Sequence, residues 1–132
     1  IPLTGAVIVS TPQDVALKIA QKAIMLFQKL KCPILGVVEN MSHFVCRHCG
    51  EREEIFGTGG ARRAAVDLDM PFLGEIPLVT EIRTSADKGI PLLISDPSSP
   101  GARAFMPVAE NIAAQISIQN MSGASTEVKL TF

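Results

Sequence analysis

Tryptophan and tyrosine are absent from this 132-residue chain, and six phenylalanines are its only aromatic residues. Twelve basic residues stand among thirteen acidic ones, for a net charge of −1. With no basic surplus and few rings for bases to stack on, the chain lacks the footprint of a nucleic-acid binder. No apolar run approaches the roughly 20 residues that cross a bilayer, and no secretory leader precedes the first strand-like run. No membrane association is therefore expected. Three cysteines, an odd number with two of them three positions apart, do not make a secreted disulfide framework. A reducing, cytoplasmic setting suits them better. The chain also opens on Ile1-Pro2-Leu3 without a methionine and runs almost at once into a buried-type strand, so it reads as the back half of something longer.

What is present is enough apolar material, 47% of the residues, for the core of one ordinary domain. Gly5-Ala6-Val7-Ile8-Val9-Ser10 has the β-branched character of a central parallel strand. Thr11-Pro12-Gln13-Asp14 reads as a helix start, with Thr11 as N-cap and Pro12 as the first helical residue. That helix is expected to run to about Lys31 and to bury Ala16, Ile19, Ala20, Ala23, Phe27 and Leu30. Cys32, which follows it, reads as a small buried hydrophobe.

The chain then repeats itself. Pro33-Ile34-Leu35-Gly36-Val37-Val38 has the same design as Pro71-Phe72-Leu73-Gly74-Glu75-Ile76, and each is preceded by a helical segment. Successive βα units of this kind predict an α/β fold: part of a doubly wound, mainly parallel sheet with flanking helices. The strands are expected to end near Asn40 and Pro77, on the edge where such sheets bind ligands. A helix over about Glu81 to Lys88 is expected to stop at Gly89. Ile90 to Ile94 reads as a short edge strand. Ser99-Pro100 opens a last helix with Phe105, Val108, Ile112 and Ile116 as its stripe, kinked at Pro107. Residues 120–132 read as a polar tail in which Val128, Leu130 and Phe132 alternate as an edge-pairing strand would.

Between the repeats lies Cys46-Arg47-His48-Cys49-Gly50. Two thiolates fall short of the four ligands that structural zinc and ordinary iron–sulfur clusters require. His43 and His48 could complete a one-chain zinc site, although four donors within seven residues seldom point at one ion. Alternatively, two chains meeting on a twofold axis could pool their cysteine pairs. A thioredoxin-like redox pair is a third reading, disfavoured by Glu51, Glu53 and Glu54, whose charges oppose a thiolate. Gly57-x-Gly59-Gly60 lacks the Gly-Lys-Ser/Thr ending of a phosphate loop and reads as a glycine-rich helix start. Arg62 and Arg63 follow it as solvated residues.

Several segments together, Gly5 to Ala16, Gly36-Val37-Val38-Glu39-Asn40-Met41-Ser42, Cys46-x-x-Cys49-Gly50, Ile55-Phe56-Gly57 and Phe72 to Leu78, resemble the Mrp/ApbC-type P-loop ATPases. These are iron–sulfur cluster carriers related to the MinD and nitrogenase iron-protein ATPases. The resemblance covers roughly residues 4–116 and implies that residues 1–119 are part of a P-loop ATPase domain. It further implies a homodimer joined through the Cys-x-x-Cys loop, a [4Fe–4S] cluster bridged between chains by Cys46 and Cys49, and delivery to apo iron–sulfur proteins. Asn40 matches the position that hydrogen-bonds the adenine of ATP, as an amide with both donor and acceptor suits. Pro77 and Leu78 match the segment flanking the base. The Walker A loop, the Mg²⁺-binding acids and the switch regions precede this stretch in the family and have no counterpart here, so ATP hydrolysis by these residues alone is not expected. Zinc in place of the cluster, as a knuckle module without a nucleotide role, is the alternative. A MinD/ParA-like positioning ATPase is another, against which the cysteine loop speaks. A sheet built to pair with an absent half would expose an edge and an apolar face, which predicts self-association or a partner segment.

Overall fold

The computed structural model describes residues 2–122 and 126–127. Its elements run β1 (Pro2–Leu3), β2 (Ala6–Ser10), α1 (Asp14–Lys29), β3 (Ile34–Val45), β4 (Arg52–Glu53), α2 (Gly60–Asp67), β5 (Phe72–Leu78), α3 (Thr80–Asp87), α4 (Leu92–Ser95), α5 (Pro100–Met121) and β6 (Thr126–Glu127). Strand β3 is the centre of the sheet, parallel to β2 on one side and to β5 on the other. The far end of β3 also pairs antiparallel with β4.

Val37 and Val38, adjacent in β3, point to opposite faces. One joins Ile8, Ile24, Ala61 and Ala65 in a core beneath α1 and α2; the other joins Leu73, Ile76 and Val108 beneath α5. Helices thus cover both faces of a mainly parallel sheet, the expected α/β arrangement. Among the described residues no helix is long and apolar enough to cross a membrane.

The sequence repeat is a structural repeat. In the first copy Ala6 pairs with Ile34 and Val7 with Gly36, which makes Leu35 an extra residue. In the second, Val37 pairs with Phe72 and Val38 with Gly74, which makes Leu73 the extra one. Each bulge drives its leucine into the core and places a glycine at φ +149° (Gly36) or +141° (Gly74), a region closed to side chains. The preceding prolines play equal parts: the Pro33 carbonyl accepts from Ala6 N at 2.8 Å and the Pro71 carbonyl from Val37 N at 2.9 Å.

Several expectations are corrected. Helix α1 begins at Asp14 with Gln13 as an N-cap that makes no side-chain bond, so Thr11 and Pro12 precede it. Pro12 instead abuts the start of α2, where a Cβ on Gly60 would lie 2.2 Å from the Pro12 carbonyl oxygen. The face that α1 buries is Leu17, Ala20, Ile24 and Phe27, while Ile19 is 65% exposed. Apolar residues line two sides of this helix, and the core takes the one facing Ile8 and Ala61. Strand β2 pairs with β3 alone among the described residues, and Val9 and Val15 stand exposed beside it.

Residues Ile90 to Ile94 do not form a strand. Pro91, with φ −55°, starts the one-turn helix α4, which sends Leu92 into the core against Gly101. Helix α3 stops at Gly89 (φ +67°) as expected, although it starts at Thr80. Ser99 caps α5, its Oγ accepting from Ala102 N at 3.2 Å. That helix continues through Pro107, which stands exposed, so the amide hydrogen bond it forgoes faces water. Strands β1 and β6 pair antiparallel, whereas Val128, Leu130 and Phe132 lie outside the described residues.

Candidate functional site

Strand β3 does not end at Asn40. It runs on to Val45 and so carries the sheet edge directly into the cysteine turn. Its pairing with β5 is broken once on the way: Asn40 lies opposite Ile76 and Phe44 opposite Leu78, with residues 41–43 bulging around the single residue Pro77. Proline has no N–H to give the neighbouring strand, so the ladder cannot pass through it and the longer strand swells instead. Met41 takes up the distortion at φ +54°.

The bulge has its own fastener. Ser42 is 2% exposed, and its hydroxyl donates to the Ile76 carbonyl at 3.2 Å. Its oxygen also meets His43 Nδ1 at 2.9 Å. With its one proton given to Ile76, that oxygen accepts from the imidazole, which puts the ring proton on Nδ1 and leaves Nε2 bare. Partial burial, then the Arg52 charge, depress the His43 pKa; Glu75, Glu54 and Glu39 act in the opposite sense.

Asn40, Pro77 and Leu78 are therefore brought together on two adjacent strands. The Asn40 Oδ1 accepts from Met41 N at 3.0 Å, and its Nδ2 donates to no group among the described residues. Pro77 is buried and Leu78 half-buried. A cleft of about 370 Å³ opens just past the end of β5, lined by Val79, Thr80 and Glu81, by Cys46 and Arg47, and by Asp96 and Ser99 to Gly101. Leu78 directly precedes the lining residue Val79, but none of the three expected base-edge residues lines this cleft.

Cys46 is half-buried and Cys49 exposed, at the two ends of one turn. That turn is closed by hydrogen bonds from Cys46 N to Glu51 O and from Gly50 N to Cys46 O, both 2.9 Å. Gly50 sits at φ +73°, where a side chain would be strained. Hydrogen bonding from the backbone N–H groups of Cys49 and His48, then from the Cys49 thiol, holds the Cys46 thiol below the ordinary range, against partial desolvation and the Glu53 charge. Ion pairs further tie the hairpin to α3, through Arg47 and Glu81 at 3.4 Å, and to β5, through Arg52 and Glu75 at 3.7 Å.

Neither histidine joins the cysteines. No group of three or more His, Cys, Asp or Glu side chains is close enough to hold a metal ion among the described residues. His43 is turned to Ser42, and His48 is exposed. Cys32 lies at the opposite end of β3, 3% exposed, its thiol pushed up by burial.

Two groups, one near this edge and one at the start of β5, escaped the sequence reading. Glu39, 1% exposed, turns to the opposite face and accepts from Ala61 N at 2.8 Å, thereby capping α2 from the sheet. Its signal was a carboxylate inside an otherwise apolar strand. Arg62 is not simply solvated, since its guanidinium lies 4.2 Å over the Phe72 ring; Arg63 donates to the Thr58 carbonyl at 2.6 Å. The glycine run does serve as a helix start, with Gly59 in the left-handed region at φ +61°.

Comparison with known proteins gives the chain its relatives. The chain is 46% identical over 120 residues to the iron-sulfur cluster transfer protein NUBPL of Dictyostelium discoideum, covering 91% of this chain and 37% of that one. It is 52% identical over 110 residues to the iron-sulfur protein required for NADH dehydrogenase of Arabidopsis thaliana, covering 83% and 35%. A nucleotide-binding protein from Archaeoglobus fulgidus, solved in complex with ADP, superimposes with a TM-score of 0.61 at 38% identity, over 79% of this chain and 41% of that one. The chain spans about a third of the length of the curated relatives it matches. A family model described as ParA, NUBPL iron-transfer P-loop NTPase, matches residues 1–113, and to that family this chain belongs.

Proposed function

We propose that the chain is part of an ATP-dependent iron–sulfur cluster carrier, and that its cysteine turn supplies half of a shared cluster site. The carrying observation is a shortfall: Cys46 and Cys49 share one turn and line one cavity, and no third donor joins them among the described residues. Two ligands do not hold a four-iron cluster, whereas two copies of the turn related by a twofold axis supply four. The cluster is then cargo, a [4Fe–4S] unit held between two chains and passed to apo iron–sulfur proteins. An exposed Cys49 suits a site that must release what it binds. The Dictyostelium relative, named for iron-sulfur cluster transfer, supports this reading.

Asn40, Pro77 and Leu78 form the adenine edge in this proposal. The free Nδ2 of Asn40 would face a ring nitrogen of the base, with Pro77 and Leu78 along its flank, and the likeness to an ADP complex supports it. The phosphate cradle and Mg²⁺ ligands belong to family segments without a counterpart in these residues. Residues 1–119 therefore act as one part of an ATPase domain and do not hydrolyse ATP by themselves. The work is placed in a reducing, cytoplasmic compartment, where thiolates stay available.

Anaerobic reconstitution with iron and sulfide, followed by absorption spectra, metal and sulfide analysis and mass in solution, tests the proposal. A brown dimer with about one four-iron cluster per two chains is expected, and Cys46→Ala or Cys49→Ala should abolish it. A colourless protein retaining one zinc per chain would assign the turn to a structural knuckle instead.

A further inference from the structure

We infer that Cys46 and Cys49 also form a reversible dithiol–disulfide couple, closed by small-molecule disulfides, that blocks metal or cluster loading when oxidised. The couple itself rests on the geometry of the turn. Its effect on loading rests on the carrier reading.

The bond from Gly50 N to Cys46 O closes a single helical turn of backbone over Cys46–Gly50, and positions three apart on such a turn have Cα atoms about 5 Å apart. A disulfide spans about 4.4–6.8 Å between Cα atoms, so closure needs little backbone movement. Both cysteines line the same cavity of about 450 Å³, together with Phe44 and the Glu51–Glu53 segment. The two hydrogen bonds that close the turn, Cys46 N to Glu51 O and Gly50 N to Cys46 O, use backbone groups only and persist whether the sulfurs are free or joined. Among the described residues no third ligand joins the thiols. A pair waiting for a second chain is thus exposed to exchange.

Exposure sets the order of events. Cys49 is the accessible thiol, so its sulfur attacks a disulfide RS–SR, forming Cys49–S–SR and releasing RS⁻, which takes up the proton that Cys49 lost. Cys46, half-buried at the other end of the turn, attacks the Cys49 sulfur and expels the second RS⁻, which takes the Cys46 proton. Two protein thiols are oxidised to one disulfide, and one small disulfide is reduced to two thiols. Cys32 takes no part, because it is buried at the far end of β3.

The test is to treat the reduced, anaerobically prepared chain with oxidised glutathione, alkylate the remaining thiols and map the peptides by mass spectrometry. The expected product is one intrachain disulfide joining Cys46 and Cys49, reversed by dithiothreitol, with Cys32 alkylated only after unfolding. Cys46→Ser should stop at a glutathione adduct on Cys49. The oxidised chain should take up no iron and sulfide until it is reduced. A stable adduct on Cys49 beside an alkylatable Cys46, disulfides between chains, or survival of both thiols would overturn the couple. If the reduced chain loads a cluster yet the pair never closes, this inference falls and the carrier reading stands. If the pair closes yet the reduced chain never loads, the carrier reading falls and the couple stands.

Discussion

The two Pro-x-Leu-Gly strands begin alike and end differently. Pro33–Gly36 and Pro71–Gly74 make the same bulge, bury the same leucine and accept the same hydrogen bond through their prolines. Beyond that, β5 stops at Leu78 and turns into α3, while β3 passes Asn40, swells around Pro77 and delivers Cys46 to the surface. The shared beginning holds the sheet together, and the divergent endings make the site. The sheet's stability and the site's chemistry therefore sit at opposite ends of one strand and can be perturbed separately.

The largest effect is expected at the bulges, and there the two copies should part. A Cβ on Gly36 would meet the Pro71 carbonyl oxygen at 2.5 Å, a fixed backbone atom inside the sheet. A Cβ on Gly74 would meet Val108 Cγ2 at 2.8 Å, a side-chain atom of α5 rather than sheet backbone. Gly36→Ala should cost about 2–4 kcal/mol in urea unfolding and Gly74→Ala about 1–2 kcal/mol. A double-mutant cycle should show coupling of Val108→Ala to Gly74→Ala and none to Gly36→Ala. Equal costs, or the reverse order, would mean that the two bulges are not loaded as described.

A smaller loss is expected where the endings diverge. Ser42→Ala leaves the Ile76 carbonyl and the His43 Nδ1 without their partner, at a cost of about 1–2 kcal/mol. The His43 ring signals should shift with it in NMR spectra. Unchanged stability and unchanged ring signals would show that the bulge around Pro77 needs no fastener.

The smallest effect is chemical and compares the two ends of β3. Cys32 precedes the strand with its thiol pushed up by burial, and Cys46 follows it with its thiol held down by inward amides. As pH rises, alkylation of Cys46 should therefore accelerate at a lower pH than an unperturbed thiol, and that of Cys32 at a higher one. Residue-resolved alkylation followed against pH reads both, and a Cys46 that titrates at or above the ordinary thiol range would remove the amides from the account.

Much of the fold was legible because short-range chemistry dictates it. Apolar runs gave β2, β3 and β5, the Pro-x-Leu-Gly repeat gave two units of one sheet, and Ser99-Pro100 and Gly89 marked helix ends through their own backbone preferences. Errors fell where a remote partner chose between locally equal options. Helix α1 has apolar residues on two sides, and only packing against Ile8 and Ala61 selects Leu17 and Ile24 over Ile19. Ile90 to Ile94 has strand composition, yet Pro91 and the seat for Leu92 beside Gly101 make it helical.

The same division holds at the site. By itself the sequence determined which atoms are available: two thiols three residues apart, an amide in one strand-forming segment and a proline in another. Only the tertiary structure decided how they act. It set β3 and β5 in a register that Pro77 interrupts, turned Glu39 inward to cap α2, kept both histidines off the cysteine pair and aimed two amides at Cys46. The reason is range: identity and turn preference reside in a few neighbouring residues, whereas register and burial depend on strands and helices brought together from far along the chain.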